Sequence, residues 1–202
     1  MEGTVLKSLL IIGASGHGKV IADIATKKGY KKIEFLDDDE SIKTCAGFSV
    51  IGRVSEAGKI RGDKIVAIGN ANIRKKIQES LTGVITLLHP KAVISRRVKI
   101  GRGSVVMAGA IINSDTVIGK GVIINTGASV DHDCQVGDYS HISVGAHVAG
   151  TVEIGNKTWI GAGAIVSNNV KICADCMIGA GAVVVKNIES QGTYIGIPAI
   201  KL

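Results

Sequence analysis

Aromatic residues make up only 3% of this 202-residue chain, and proline occurs twice. With so few rings there is little surface on which bases could stack, which argues against single-stranded nucleic acid as a partner. The charge points the same way. Twenty-four basic against 17 acidic residues give +7, but the excess divides evenly, about +4 before residue 90 and +3 after it, with no basic tail or domain. A mild excess of this kind suits phosphorylated small molecules. No apolar run approaches the length of a membrane span, roughly 18 or more residues. The opening MEGTVLKSLLIIGASGHG leads into a folded motif without a signal-peptide cleavage pattern, so the expected location is cytoplasmic. The four cysteines, Cys45, Cys134, Cys173 and Cys176, form no framework. Cys173-x-x-Cys176 has no second CxxC and no nearby histidine, and reads as reduced thiols filling a corner of the fold.

What the sequence does contain is a period of six. From Ile94 to Val184 every sixth residue is Ile or Val without exception, sixteen positions in all. Neither a helix nor an isolated strand repeats every six residues, so the unit must be one flat side of a coiled β-solenoid. Ile/Val-Gly pairs at Ile100-Gly101, Ile118-Gly119, Val136-Gly137 and Ile154-Gly155 recur at three times that interval, which makes each coil three-sided. Recurring Gly, Asn and Asp suit corners that require positive φ.

Residues 1–87 follow another rhythm. Leu9 to Ile12 reads as a buried strand, GASGHG as a turn, and Lys19 to Lys28 as a helix with Val20, Ile21, Ile24 and Ala25 on one face. Ile33 to Leu36 and Lys64 to Ile68 are further strands, and Ile73 to Leu81 a second helix with Asn72 as its N-cap. Alternating strands and helices imply a small parallel α/β unit of the Rossmann type at 1–87, followed by the solenoid at 88–202. Glycines between strand and helix let bare backbone N–H groups approach a phosphate, which marks Ser15, Gly16 and His17 as candidate ligand contacts. Asp37 or Asp38, closing the second strand, stands where a ribose or base edge is read. A single such half suits one nucleotide better than an entire dinucleotide.

Several motifs together span nearly the full chain: IIGASGHG at 11–18, FLDD at 35–38, AIGNANIRKKI at 67–77, HDC at 132–134, SHISVGA at 140–146 and GIPA at 196–199. With the hexad repeat they resemble the hexapeptide-repeat acyltransferases, and within them the bacterial nucleotide-amino-sugar N-acetyltransferases of the bacillosamine type, related to sialic-acid and perosamine acetyltransferases. The resemblance implies a left-handed β-helix, a homotrimer with sites between subunits, acetyl-CoA as acyl donor, no metal, and as acceptor a UDP-linked 4-amino sugar, with a GDP-linked amino sugar or a sialic-acid hydroxyl as the alternatives. It implies His132 as general base and Asp133 as the acid orienting it. His141 would contact the acetyl or pantetheine carbonyl, Asn125 and His17 the sugar, and Asp37, Asp38, Gly69 and Asn72 the nucleotide.

Position in the repeat adds to this. His132 lies two places after inward Val130 and His141 one before inward Ile142, so both point outward, half a coil apart and therefore nearly opposite. One reaction centre using both needs two subunits. For Asp133 to reach His132 the backbone must bend, because consecutive strand residues face opposite ways. Gly145 or Gly150 could present an amide to a developing oxyanion, and Ala162 and Ala180, one coil apart, leave room for a pantetheine arm running toward the GIPA tail. A zinc reading would need three converging histidines, and the spacing of His89, His132, His141 and His147 does not supply them.

Overall fold

The computed structural model describes residues 7–202. The first six residues, and with them the start of the opening segment read above, lie outside that range. The chain divides into two compact units, the first ending at Pro90 and the second running from Lys91 to Leu202.

In the first unit β1 (Ser8–Ile12), α1 (Gly16–Lys27), β2 (Lys32–Leu36), β3 (Thr44–Cys45), β4 (Phe48–Gly52), β5 (Asp63–Val66) and α2 (Ala71–Glu79) follow in order. The sheet runs β3-β4-β2-β1-β5. β1 lies inside it, between and parallel to β2 and β5, and only β3 is antiparallel, to β4. Strand β1 is apolar after Ser8 because both its faces are covered: Leu9 to Ile12 are all buried.

Two expectations give way to the structure, and one element had not been foreseen. Helix α1 starts at Gly16 and buries Gly18, Ile21, Ala22, Ile24 and Ala25, while Val20 is exposed. The rotation follows from Gly18, where a Cβ would fall 2.3 Å from the Gly13 carbonyl oxygen: only glycine lets the helix lie this close to the preceding turn. Helix α2 is capped by Asn70, not Asn72. The Asn70 Oδ1 accepts from the Asn72 and Ile73 amides at 3.0 and 3.1 Å, so the helix begins and ends two residues early. The β3–β4 hairpin gave no sequence signal because its tight turn uses Ala46-Gly47, both at positive φ, in place of Asn-Gly.

In the second unit two-residue strands stack into three parallel faces. One holds Val93–Ile94, Ile111–Ile112, Ser129–Val130, His147–Val148, Ile165–Val166 and Val183–Val184. The next holds Lys99–Ile100, Val117–Ile118, Gln135–Val136, Glu153–Ile154 and Lys171–Ile172. The third runs through Val105–Val106, Ile123–Ile124, His141–Ile142, Trp159–Ile160 and Cys176–Ile178, and is extended by Gly192–Ile195 and antiparallel Ile200–Lys201. Each hexad strand pairs with the one three hexads later, as in Ile112↔Val130↔Val148. All sixfold positions from Val106 to Val184 are buried, and Ile94 and Ile100 on the first coil are half-buried.

Buried hydroxyls tie the coils together at their corners. Ser104, Thr116 and Thr158 each donate to a carbonyl near the end of the same coil (Gly119, Asp131, Cys173) and accept an amide of the next (Val122, Cys134, Cys176). Cys134 does the same with sulfur, donating to the Ala149 carbonyl at 3.1 Å and accepting from Val152 N at 3.5 Å. Its thiol is thus a corner link. Cys173 and Cys176 are free thiols with sulfurs 3.4 Å apart.

Candidate active site

His132 lies outside any strand, in the corner between Ser129–Val130 and Gln135–Val136. The bend that the sequence required is there: Asp133 has φ +56°, in the left-handed region that Asp and Asn tolerate best after Gly. This turn brings Asp133 Oδ2 to 2.7 Å from His132 Nδ1. The ring is about half exposed. With Nδ1–H donating to the carboxylate, Nε2 is left as the basic nitrogen. The hydrogen bond to Asp133, followed by the negative charge of Asp131, raises the pKa of His132 above the ordinary imidazole value. Gly150, one coil on, lies against the ring: a Cβ there would be 2.7 Å from both Cε1 and Nε2. The glycine is therefore first of all a space for the imidazole.

A second group gathers on the third face. Asn125, His141, Ser143, Trp159, Ala162 and Ala180 line a cleft of about 440 Å³. Four of the sequence candidates thus share one wall. His141 stacks on Trp159, centroids 5.1 Å apart and planes at 24°, and the Trp159 indole N–H donates to the Ser143 hydroxyl. The Asn125 Oδ1 accepts from Thr126 N at 2.8 Å, which turns its amide nitrogen to His141 Nε2 at 3.0 Å. Trp159 escaped sequence reading, although it is the sole tryptophan and pairs in register with His141 from the next coil. Gly145, at φ +62°, has nothing within 4 Å of where a Cβ would be. Within one chain the His132 corner and the His141 face lie on opposite parts of the coil, as the spacing predicted.

In the first unit the loops at the carboxyl ends of β1, β2 and β5 hold the remaining candidates. Ser15 precedes α1 and makes no side-chain cap, and Gly16 is open. His17 is largely buried, and its Nε2 has no hydrogen-bond partner. Burial, with the Arg74 charge second, lowers its pKa to about 4, so it is neutral at pH 7. Arg74 is buried and donates to the Ile68 and Gly69 carbonyls at 2.8 and 2.7 Å, fixing the loop after β5. Asp37 accepts from Ala14 N at 2.6 Å and from Asp39 N at 2.9 Å, and so ties the glycine turn to the end of β2. Asp38 accepts from Val54 N at 3.0 Å and borders a cleft of about 670 Å³ with Ile73, Lys76 and Ile77. Asn72 is exposed in the first turn of α2. Among the described residues no group of three or more His, Cys, Asp or Glu is placed to hold a metal ion, and no helix is long and apolar enough to cross a membrane.

Residues 8–81 match the family described as the PglD N-terminal domain, and residues 151–186 match the bacterial transferase hexapeptide (six repeats). The UDP-N-acetylbacillosamine N-acetyltransferase of Bacillus subtilis is 37% identical over 114 residues, 51% of this chain and 52% of that protein, so the match spans about half the curated relative's length. The acetyltransferase domain of PglB from Neisseria gonorrhoeae superposes with a TM-score of 0.94 at 40% identity, covering 97% of this chain and 100% of that one; a second structure of it holds acetyl coenzyme A. PerB from Caulobacter crescentus, solved with CoA and GDP-perosamine, has a TM-score of 0.91 at 35% identity over 98% of both chains. Motifs at both ends and near-complete coverage agree: the chain belongs to the hexapeptide-repeat, left-handed β-helix acetyltransferases that carry a PglD-type amino-terminal domain.

Proposed function

We propose that this protein transfers the acetyl group of acetyl-CoA to the 4-amino group of a UDP-linked amino-deoxy sugar, with His132 as general base. The observation that carries the reading is the His132–Asp133 pair at an open corner, 2.7 Å apart. A sugar amine that is protonated in water cannot attack a thioester. A nearby base must take the proton as the N–C bond forms, and an imidazole strengthened by a carboxylate is suited to it. The neutral amine nitrogen bonds to the thioester carbonyl carbon, Nε2 of His132 takes the proton from the ammonium so formed, and the imidazolium returns that proton to sulfur as the C–S bond breaks, so that CoA leaves as its thiol and the base is regenerated. The amide of Gly150, beside the ring, is suited to the negative charge that develops on the carbonyl oxygen.

The acyl donor's pantetheine arm is assigned to the cleft of His141, Trp159, Ala162 and Ala180, and the nucleotide half to Ser15, Gly16, His17, Asp37, Asp38, Gly69 and Asn72, with Asn125 toward the sugar. His132 and His141 lie apart in one coil, so we assign the complete site to a homotrimer, with His132 of one protomer facing the partner's His141. The Bacillus relative's name favours UDP. A GDP-linked acceptor is the second reading, favoured by the GDP-perosamine complex of PerB.

The test is to offer UDP- and GDP-linked 4-amino sugars with acetyl-CoA and follow free thiol release, beside the His132→Ala protein. Turnover of the UDP sugar that collapses in the variant supports the proposal. Turnover of the GDP sugar alone overturns the acceptor, and a variant as active as wild type overturns the base.

A further inference from the structure

The corner that carries His132 holds a second carboxylate that the reaction as described does not use. Asp131 Oδ1 accepts two hydrogen bonds, from Asn113 Nδ2 at 2.7 Å and from the main-chain N–H of His132 at 2.9 Å. Its backbone is fixed on both sides: Thr116 Oγ1 donates to its carbonyl at 2.6 Å, and its amide donates to Val148 O of the next coil at 2.9 Å. The Asn113 amide also holds the Asp131 carboxyl below the usual carboxylate range, so it is charged at neutral pH.

Coil geometry alone does not ask for a charge here. At the same corner position the successive coils carry Ser95, Asn113, Asp131, Ala149 and Ser167. Four are neutral, and three of them, Asn113, Ala149 and Ser167, precede the same positive-φ turn, at Asp115, Thr151 and Asn169. The carboxylate occurs only in the coil whose next residue is His132.

We propose that Asp131, clamped by Asn113, is a positioning residue for acetyl transfer: it fixes the corner that presents His132 and supplies, with Asp133, the negative charge that stabilises the imidazolium formed on proton uptake. This rests on the reading of His132 as base. The other titratable group beside Asp131 is His147 on the next coil, which lines the same cleft and has its Nδ1 hydrogen-bonded to Ser129 Oγ at 2.8 Å. At the corner before, Asn113 and Ser114 are neutral and Asp115 is paired with Arg97 at 2.6 Å, while Gly150 and Thr151 at the corner after carry no charge.

The experiment is a proton NMR titration of the five histidines in the full-length protein, alongside the pH dependence of kcat/KM, for wild type, Asp131→Asn and Asp131→Glu. Asn keeps the oxygen acceptor and removes the charge. Its His132 midpoint and the acid limb of kcat/KM are expected to move together to lower pH, with a fall in the plateau of roughly threefold or more as the base weakens. The displacement is expected to shrink in high salt because the groups are solvent-exposed. Glu is expected to restore both. A His132 midpoint that stays at the wild-type value in Asp131→Asn overturns the inference, as does a lower plateau with an unmoved acid limb, which a purely structural residue would give. If His132→Ala retains full turnover, it is the base assignment that fails, and the NMR midpoint still decides whether Asp131 acts on the ring.

Discussion

Asp133 Oδ2 and His132 Nδ1 are 2.7 Å apart although the residues are sequence neighbours, and they meet only because Asp133 adopts φ +56°. A pair of this kind on a straight strand would point to opposite faces. Its contact exists because a corner of the coil falls between the two strands.

Replacing His132 with Ala is expected to lower kcat/KM by about 10²- to 10⁴-fold, the usual contribution of a positioned base. The far-ultraviolet circular dichroism and melting curve are expected to stay as in wild type, because the ring is about half exposed. Steady-state kinetics beside a thermal scan checks both halves.

Gly150→Ala tests the space beside the imidazole. The added methyl would sit 2.7 Å from Nε2 and must push the ring aside. Misplacement by about 1 Å can cost on the order of 100-fold in rate, so kcat is expected to fall by more than tenfold while KM for acetyl-CoA changes little. Unaltered kcat would show that the ring moves freely.

Trp159→Ala removes the surface on which His141 stacks and opens the apolar cleft. A rise in KM for acetyl-CoA of roughly tenfold, corresponding to the loss of about 1.4 kcal/mol of contact, is the expected result. Isothermal titration with CoA measures it directly.

His17 gives the protein a pH signature. Its folded pKa of about 4 lies below the unfolded 6.5, so between these values the unfolded chain binds a proton that the native state refuses. Stability is complete above pH 6.5 and falls as pH drops toward 4, by an order-of-magnitude limit of about 3 kcal/mol. Denaturant midpoints measured across this window are expected to decline less steeply in His17→Gln. An equal slope in both proteins would remove His17 as the cause.

Val136→Ala or Ile154→Ala, each in the centre of the inward column, is expected to destabilise by roughly 1 to 5 kcal/mol. Urea unfolding measures the loss.

The solenoid was legible because its inward aliphatics obey one rule without exception, and burial from Val106 to Val184 follows it. What could not be read from Asp133 alone could be read from its column: Asp115, Asp133, Thr151 and Asn169, each one coil beyond the last, all have positive φ. Stacking sequence by coil would likewise have placed Trp159 on His141. The α/β unit offered no such copies. There Val20 lost its inward place to Gly18, whose close approach to the Gly13 carbonyl sets the helix rotation, and Asn70 rather than Asn72 took the cap because it precedes the first helical turn. Arg74 gave no sign of being buried, since its partners are carbonyls of a loop whose path depends on tertiary contacts.

A tube wound with a fixed number of residues per coil keeps count of its own chain. Deleting one residue ahead of the HDC corner would turn inside out every side chain that follows. Deleting one hexad would carry the histidine round to another flank, and deleting three would lower it by one storey with its surroundings preserved. Changes in length that keep the chemistry must therefore come as whole storeys, or else loop out at a corner without entering the count.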